Sequence, residues 1–307
     1  MKAKEFLLTF PFLDGRPDQG FPEQEFKSLQ SSFSFLRDSM KLEETALQVI
    51  YALEDYEEFI LQSALHHHLF PMEEYEFFQD SRVRANIKVL GFLNSVTSFR
   101  DQFPRFKSQQ SLARLREDFF ALWDKQKARS VAFCFFERLR NYAQHQTQPV
   151  SSATTGAGWD KKREMSEARA SVFVQVSEVC ANRDIHQDER QRYISEFGEK
   201  ADISLIFRET AGRIGDILKA VREITREIFD KSVNEYERCL KIVRADEIHF
   251  LHCEVVSVVN GERKKEFEIF PDFLQRAKNL RRTFLMTNNE RHFVSNRAFG
   301  HSATKQK

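Results

Sequence analysis

The most constraining feature of the chain is a long helical periodicity. Over residues 24–69, Ala46, Val49, Ile50, Leu53, Tyr56 and Ile60 recur at three- and four-residue steps with Glu and Asp between them. That spacing places apolar side chains on one face of an α-helix. A second helix is expected over 72–103, with Val83, Ile87, Leu90, Leu93 and Val96 as its buried stripe and Pro104 as its stop. Leu112, Leu115, Phe119 and Leu122 mark a third helix, and Val131, Phe135, Leu139 and Tyr142 a fourth. The 31 Phe against 10 Gly suit this pattern, because aromatic bulk with few backbone breakers favours helices packed through thick apolar faces. The four helices predict one bundle over 24–150. Before it, Pro11, Gly15, Pro17, Gly20 and Pro22 punctuate residues 1–23 into an irregular arm, although the apolar run 6–12 could form a short strand.

Residues 146–158 are rich in Gln, Ser, Thr, Ala and Gly and carry Pro149, a composition that buries little surface and predicts a flexible linker over 151–165. The remainder, 166–307, reads as a smaller α+β unit. Residues 171–176 alternate weakly as a strand would, and 188–200 suggest a short helix opened by an aspartate cap. Ile214, Ile217, Val221, Ile224 and Ile228 repeat in a near-heptad way, which predicts a long helix packed within the chain or across a dimer. Asn260 and Gly261 separate two strand-like runs, 250–259 and 262–270. Asn-Gly suits a type I′ turn, where both central residues need positive φ, so a β-hairpin is expected. A last helix over 272–284 leads into a polar, basic end. The fold class is therefore mainly α: an N-terminal helical bundle followed by a smaller α+β unit with a β-hairpin.

Lys plus Arg (47) nearly balance Asp plus Glu (46), so no whole-molecule field drives indiscriminate nucleic-acid binding. Local charge differs. From Pro271 onward eight Lys or Arg face only Asp272 and Glu290, a net +6. Arg276, Lys278, Arg281 and Arg282 are thus candidate RNA-binding residues, with a solvated basic tail as the alternative. The four cysteines are far apart and lack a C-x-x-C pair, which fits thiols in a reducing compartment. No stretch reaches the ~18 apolar residues of a membrane span and no secretory leader is evident, so a cytoplasmic protein without a membrane partner is expected.

Walker A, G-x-G-x-x-G, G-x-S-x-G and H-E-x-x-H motifs are absent, which removes most common nucleotide, hydride and hydrolase readings. His66, His67 and His68 are consecutive; on a helix they point about 100° apart and cannot converge on one ion. Neither metal nor cofactor is expected. The carboxylate runs around Glu54 and Glu73 alternate with Tyr and Phe and read as solvated helix faces.

One segment remains: Arg140, Asn141, Tyr142, Ala143, Gln144 and His145. It resembles the R-x4-H signature of HEPN domains, helical ribonuclease modules in which an arginine followed by a polar residue lies near the end of the last core helix. The resemblance covers about 24–150 and implies a HEPN-like bundle. A second R-x4-H, at Arg244 and His249, has alanine after the arginine and lacks the bundle context. The resemblance also implies a metal-independent endoribonuclease acting as a homodimer, with the two signatures lining one cleft, in toxin or antiviral-defence biology alongside an antitoxin or regulatory protein. The expected reaction is 2′-hydroxyl attack on the adjacent phosphorus of RNA. His145 would be acid or base, Arg140 would stabilise charge on the phosphate, and Asn141 would orient the phosphate or His145. The alternatives are a non-catalytic HEPN-like module binding RNA or protein, and a helical scaffold in which these residues are incidental.

Overall fold

Pro22 ends the N-terminal stretch and the first long helix starts directly after it. In the computed structural model, which describes residues 5–10, 17–70, 75–161, 165–181, 185–243, 253–283 and 297–301, the elements begin β1 (Glu5–Thr9), β2 (Gln19–Gly20), α1 (Glu23–Leu69), α2 (Tyr75–Asp101), α3 (Leu115–Arg129) and α4 (Val131–His145). They continue β3 (Ser152–Asp160), β4 (Met165–Gln175), α5 (Val176–Val179), α6 (Gln187–Phe197), β5 (Lys200–Asp202), α7 (Ile203–Ile224) and α8 (Arg226–Val243). Then come β6 (Cys253–Val259), β7 (Glu262–Ile269), α9 (Pro271–Arg282) and β8 (Arg297–His301). Among the described residues the protein is mainly α-helical with two small antiparallel sheets. Glu23 and Glu25 in the first turn of α1, and His66 to His68 in its last, complement the helix dipole.

The chain forms two compact units that interleave in sequence. The first takes Met1–Glu44, Phe103–Phe119 and Lys219–Phe284; the second takes Thr45–Gln102, Phe120–Leu218 and Leu285–Lys307. In the first, the sheet runs β2-β1-β6-β7. Phe6 stacks on Phe26 at 3.8 Å between centroids, and Phe33 packs on Phe267 and Phe273 at 4.9 and 5.0 Å. The stretch 1–23 is thus not wholly irregular: β1 pairs with β6 from Glu5 opposite Val258 to Thr9 opposite Glu254. The β6–β7 hairpin forms as expected, with Asn260 at φ 57° and Gly261 at φ 83°. Gly261→Ala is expected to cost about 1 kcal/mol in chemical denaturation, because a Cβ disfavours that left-handed backbone; an unchanged midpoint would mean the turn rearranges freely.

The second unit holds the helical bundle and the other sheet, β3-β4-β5 with β8 also on β4. Here the expected linker over 151–165 is corrected: β3 occupies it and pairs with β4 from Ser152 opposite Phe173 to Asp160 opposite Met165. A run of Ser, Ala, Thr and Gly buries little by itself, yet its backbone bonds to a neighbour whose Val172 and Val174 are buried. The stripe expected on α2 is also corrected. Leu93 and Val96 are buried as expected and Leu90 is half-buried, but Val83 and Ile87 are 48% and 64% exposed, and Ala85, Val89, Phe92 and Phe99 complete the buried face in their place. Two apolar stripes share the helical period, and the one carrying aromatic rings removes more area from water.

The long helix expected around Ile214 to Ile228 breaks at Thr225, whose hydroxyl bonds back to the Val221 carbonyl at 2.8 Å. Ile214, Ile217 and Val221 are buried within the chain, and Ile224 is 46% exposed. The short helix near 188 is α6, where His186 stands at the N-cap without a side-chain bond and Asp188 lies in the first turn. Within the second unit α7 packs against α1 and α2, beyond the end expected for the bundle at residue 150. Phe207 stacks on Phe92 at 4.1 Å and meets Tyr56 edge-on at 5.0 Å. Arg208 grips Glu57 bidentately at 2.6 and 2.7 Å, and Tyr56 Oη hydrogen-bonds Ser204 Oγ at 3.0 Å.

Candidate functional site

Helix α4 carries the signature. Ser130 caps it by accepting a bond from the Phe133 N–H at 3.0 Å, and Phe133, Phe135, Phe136, Leu139 and Tyr142 form its buried face. That face fixes the helix rotation. Arg140 ends half-buried at the margin, while Asn141 and His145 are exposed. The helix stays regular through His145, and the following Gln146 N–H still bonds to the Tyr142 carbonyl at 2.9 Å.

Arg140 and Asn141 converge: Arg140 Nη1 donates to Asn141 Oδ1 at 3.1 Å. Both line a small cleft of about 70 Å³ with Thr97, Arg100, Trp123 and Glu137. Glu137 is fully engaged there, accepting from Trp123 Nε1 at 2.8 Å and pairing with Lys127 at 2.7 Å and Arg100 at 3.5 Å. Among the described residues Arg140 makes no ion pair, and its buried Nε has no hydrogen-bond partner. Its neighbour Arg138 behaves oppositely. It holds Glu189 bidentately at 2.9 Å through both contacts, with Tyr193 Oη donating to the same carboxylate at 2.6 Å. Burial opposes ionisation of Glu189, but the Arg138 and Tyr193 bonds outweigh it and hold its carboxyl below the usual range.

His145 is not among the residues lining the cleft. The structure therefore joins Arg140 to Asn141 and leaves His145 apart on the same helix. Arg100, Trp123 and Glu137 were missed by sequence reasoning, because they reach the cleft from α2, α3 and the middle of α4 without a shared motif. The second signature, at Arg244 and His249, lies outside the described residues, as do Arg291, Lys305 and Lys307.

The four basic residues of α9 do not form one free surface. Arg276 pairs with Glu44 at 3.3 Å and Lys278 with Glu237, whereas Arg282 is exposed and makes no ion pair among the described residues. Arg281 turns inward, donating to the Arg222 carbonyl and the Thr225 hydroxyl, with Glu43 at 3.8 Å. Burial, aided by the charge of Arg222, pushes its guanidinium down to about 10 against the pull of Glu43. It stays cationic at neutral pH.

Among the described residues no cluster of His, Cys, Asp or Glu could hold a metal ion, and no helix is long and apolar enough to cross a membrane. Comparison with known protein families, curated proteins and solved structures finds no match.

Proposed function

We propose that the α4 cleft binds a phosphate of RNA and that the chain is a metal-independent endoribonuclease of the HEPN type. The observation that carries this reading is Arg140, a half-buried guanidinium with no carboxylate partner among the described residues, beside Asn141 and Arg100. A partly desolvated cation of this kind gains more from an arriving phosphodiester than one already paired. In the reaction the ribose 2′-oxygen bonds to the adjacent phosphorus and the bond from phosphorus to the 5′-oxygen breaks. The products are a 2′,3′-cyclic phosphate and a 5′-hydroxyl. A histidine takes the 2′ proton or protonates the leaving oxygen.

Arg140 and His145 project about 140° apart on a regular helix. One phosphate is then served by Arg140 and Asn141 of one copy and His145 of a second, which makes a homodimer part of the proposal. A toxin or antiviral-defence role with a controlling protein partner follows from the HEPN resemblance. The position of His145 outside the cleft favours a second reading, a module that binds RNA without cleaving it.

Both readings meet in one experiment: total RNA with EDTA present, using wild type, Arg140→Ala and His145→Ala, scored for cyclic-phosphate ends and for RNA binding. Under the nuclease reading His145→Ala loses at least about 100-fold in cleavage and keeps binding, while Arg140→Ala weakens both. Binding that depends on Arg140 without any cleavage selects the module. RNA binding and cleavage unchanged in Arg140→Ala would sink both.

A further inference from the structure

In the first unit, the end of α7 together with α8 and α9 surrounds a cavity of about 530 Å³, within the range of small-ligand sites. Five cations line it: Arg222, Arg226, Lys278, Arg281 and Arg282. The acids on its wall are Glu223, Asp230 and Glu237. Glu223 is engaged by Arg226 and Glu237 by Lys278. Behind the wall, the buried Glu43 carboxylate serves two guanidiniums at once. Arg222 holds it bidentately at 2.9 and 2.6 Å, and Arg281 stands 3.8 Å away. Neither Arg282 nor Asp230 makes an ion pair among the described residues, and with one Glu43 shared by two guanidiniums the five cations exceed the four carboxylates by one positive charge.

The two inner arginines are fixed in place. Arg222 donates to the Leu280 and Thr283 carbonyls at 3.2 and 3.1 Å, and Arg281 lies over the Phe229 ring at 4.7 Å. Such cations cost little further ordering when an anion arrives. The Arg226 and Glu223 side chains are both more than 60% exposed, and because water screens an exposed pair and leaves it only weakly held, this one yields readily to a multiply charged group. Phe229 and Val233 add apolar wall for the body of a ligand. We propose that this cavity binds a small phosphorylated ligand of nucleotide size, through its terminal phosphate groups. Lys278, Arg281 and Arg282 of α9 then serve this ligand and not the RNA backbone.

The test titrates the full chain at constant ionic strength with pyrophosphate and with adenosine diphosphate, by calorimetry. One-to-one binding of both is expected, weakened at least 10-fold by Arg282→Glu and unchanged by Arg140→Ala, which separates this site from the α4 cleft. Arg222 and Arg281 stay intact because they hold the helix ends. Short RNAs with a 5′-phosphate or a 5′-hydroxyl are then added as competitors. Competition by the phosphorylated RNA alone supports recognition of a terminal phosphate, while equal competition by both shows an RNA-backbone surface and overturns the proposal. Absence of binding, or binding indifferent to Arg282→Glu, overturns it as well. Should Arg282→Glu unfold the protein, Arg282→Gln gives the same reading with a smaller perturbation.

Discussion

Glu43→Gln is expected to destabilise the protein by about 3 kcal/mol, the low end of what removing one partner from a buried ion pair costs. The Glu43 side chain is only 4% exposed, and Arg222 and Arg281 are 21% and 12% exposed. Without the carboxylate, two guanidiniums remain together in a poorly solvated place. Their bonds to the Leu280, Thr283 and Arg222 carbonyls soften the loss, but carbonyls do not cancel charge. Urea unfolding of the full chain measures the effect. Pyrophosphate should restore part of the lost stability if the cavity beside these arginines takes phosphate, since a ligand that binds only the folded state stabilises it. A loss under about 1 kcal/mol would mean that Arg222 and Arg281 reach water and that the shared carboxylate is no keystone.

What the sequence makes legible is local. The extent of α1 and the β6–β7 hairpin follow from short-range signals: a sustained helical period and an Asn-Gly pair. The rotation of α2 does not, because Val83 and Ile87 fit the same period as Val89 and Phe92 and only tertiary packing chooses between them. Strand β3 was hidden because its order comes from β4 and not from its own side chains. The pairing of β1 with β6 joins residues nearly the whole chain apart, as between Glu5 and Val258, and no local window contains both. The candidate site divides the same way. Adjacent residues Arg140 and Asn141 could be read together, but Arg138 and Arg140 look equivalent until Glu189 arrives from α6 and takes only one of them. On α9 the sequence likewise treats Arg281 and Arg282 alike, although neighbours on a helix point about 100° apart and only one of them faces the core.

Phe207→Ala should cost about 4 kcal/mol, as for a buried aromatic whose surroundings cannot collapse into the space. Phe207 is fully buried between Phe92 of α2 and Tyr56 of α1, and its helix lies beyond the point where the sequence placed the end of the bundle. The experiment therefore asks what the bundle is made of. If α7 is a core member, Phe207→Ala and Phe92→Ala remove parts of one contact. Their double variant should then fall short of additivity by about 1 kcal/mol. The bidentate pair of Arg208 with Glu57, one helical position further along α7, ties α7 to α1 at the margin of that core. A truncation after α4 would accordingly expose Phe92 and Tyr56 and leave Glu57 without its cation. Additive losses in the double variant, or a Phe207→Ala cost below about 1 kcal/mol, would instead show α7 to be peripheral and residues 24–150 to be a bundle in their own right.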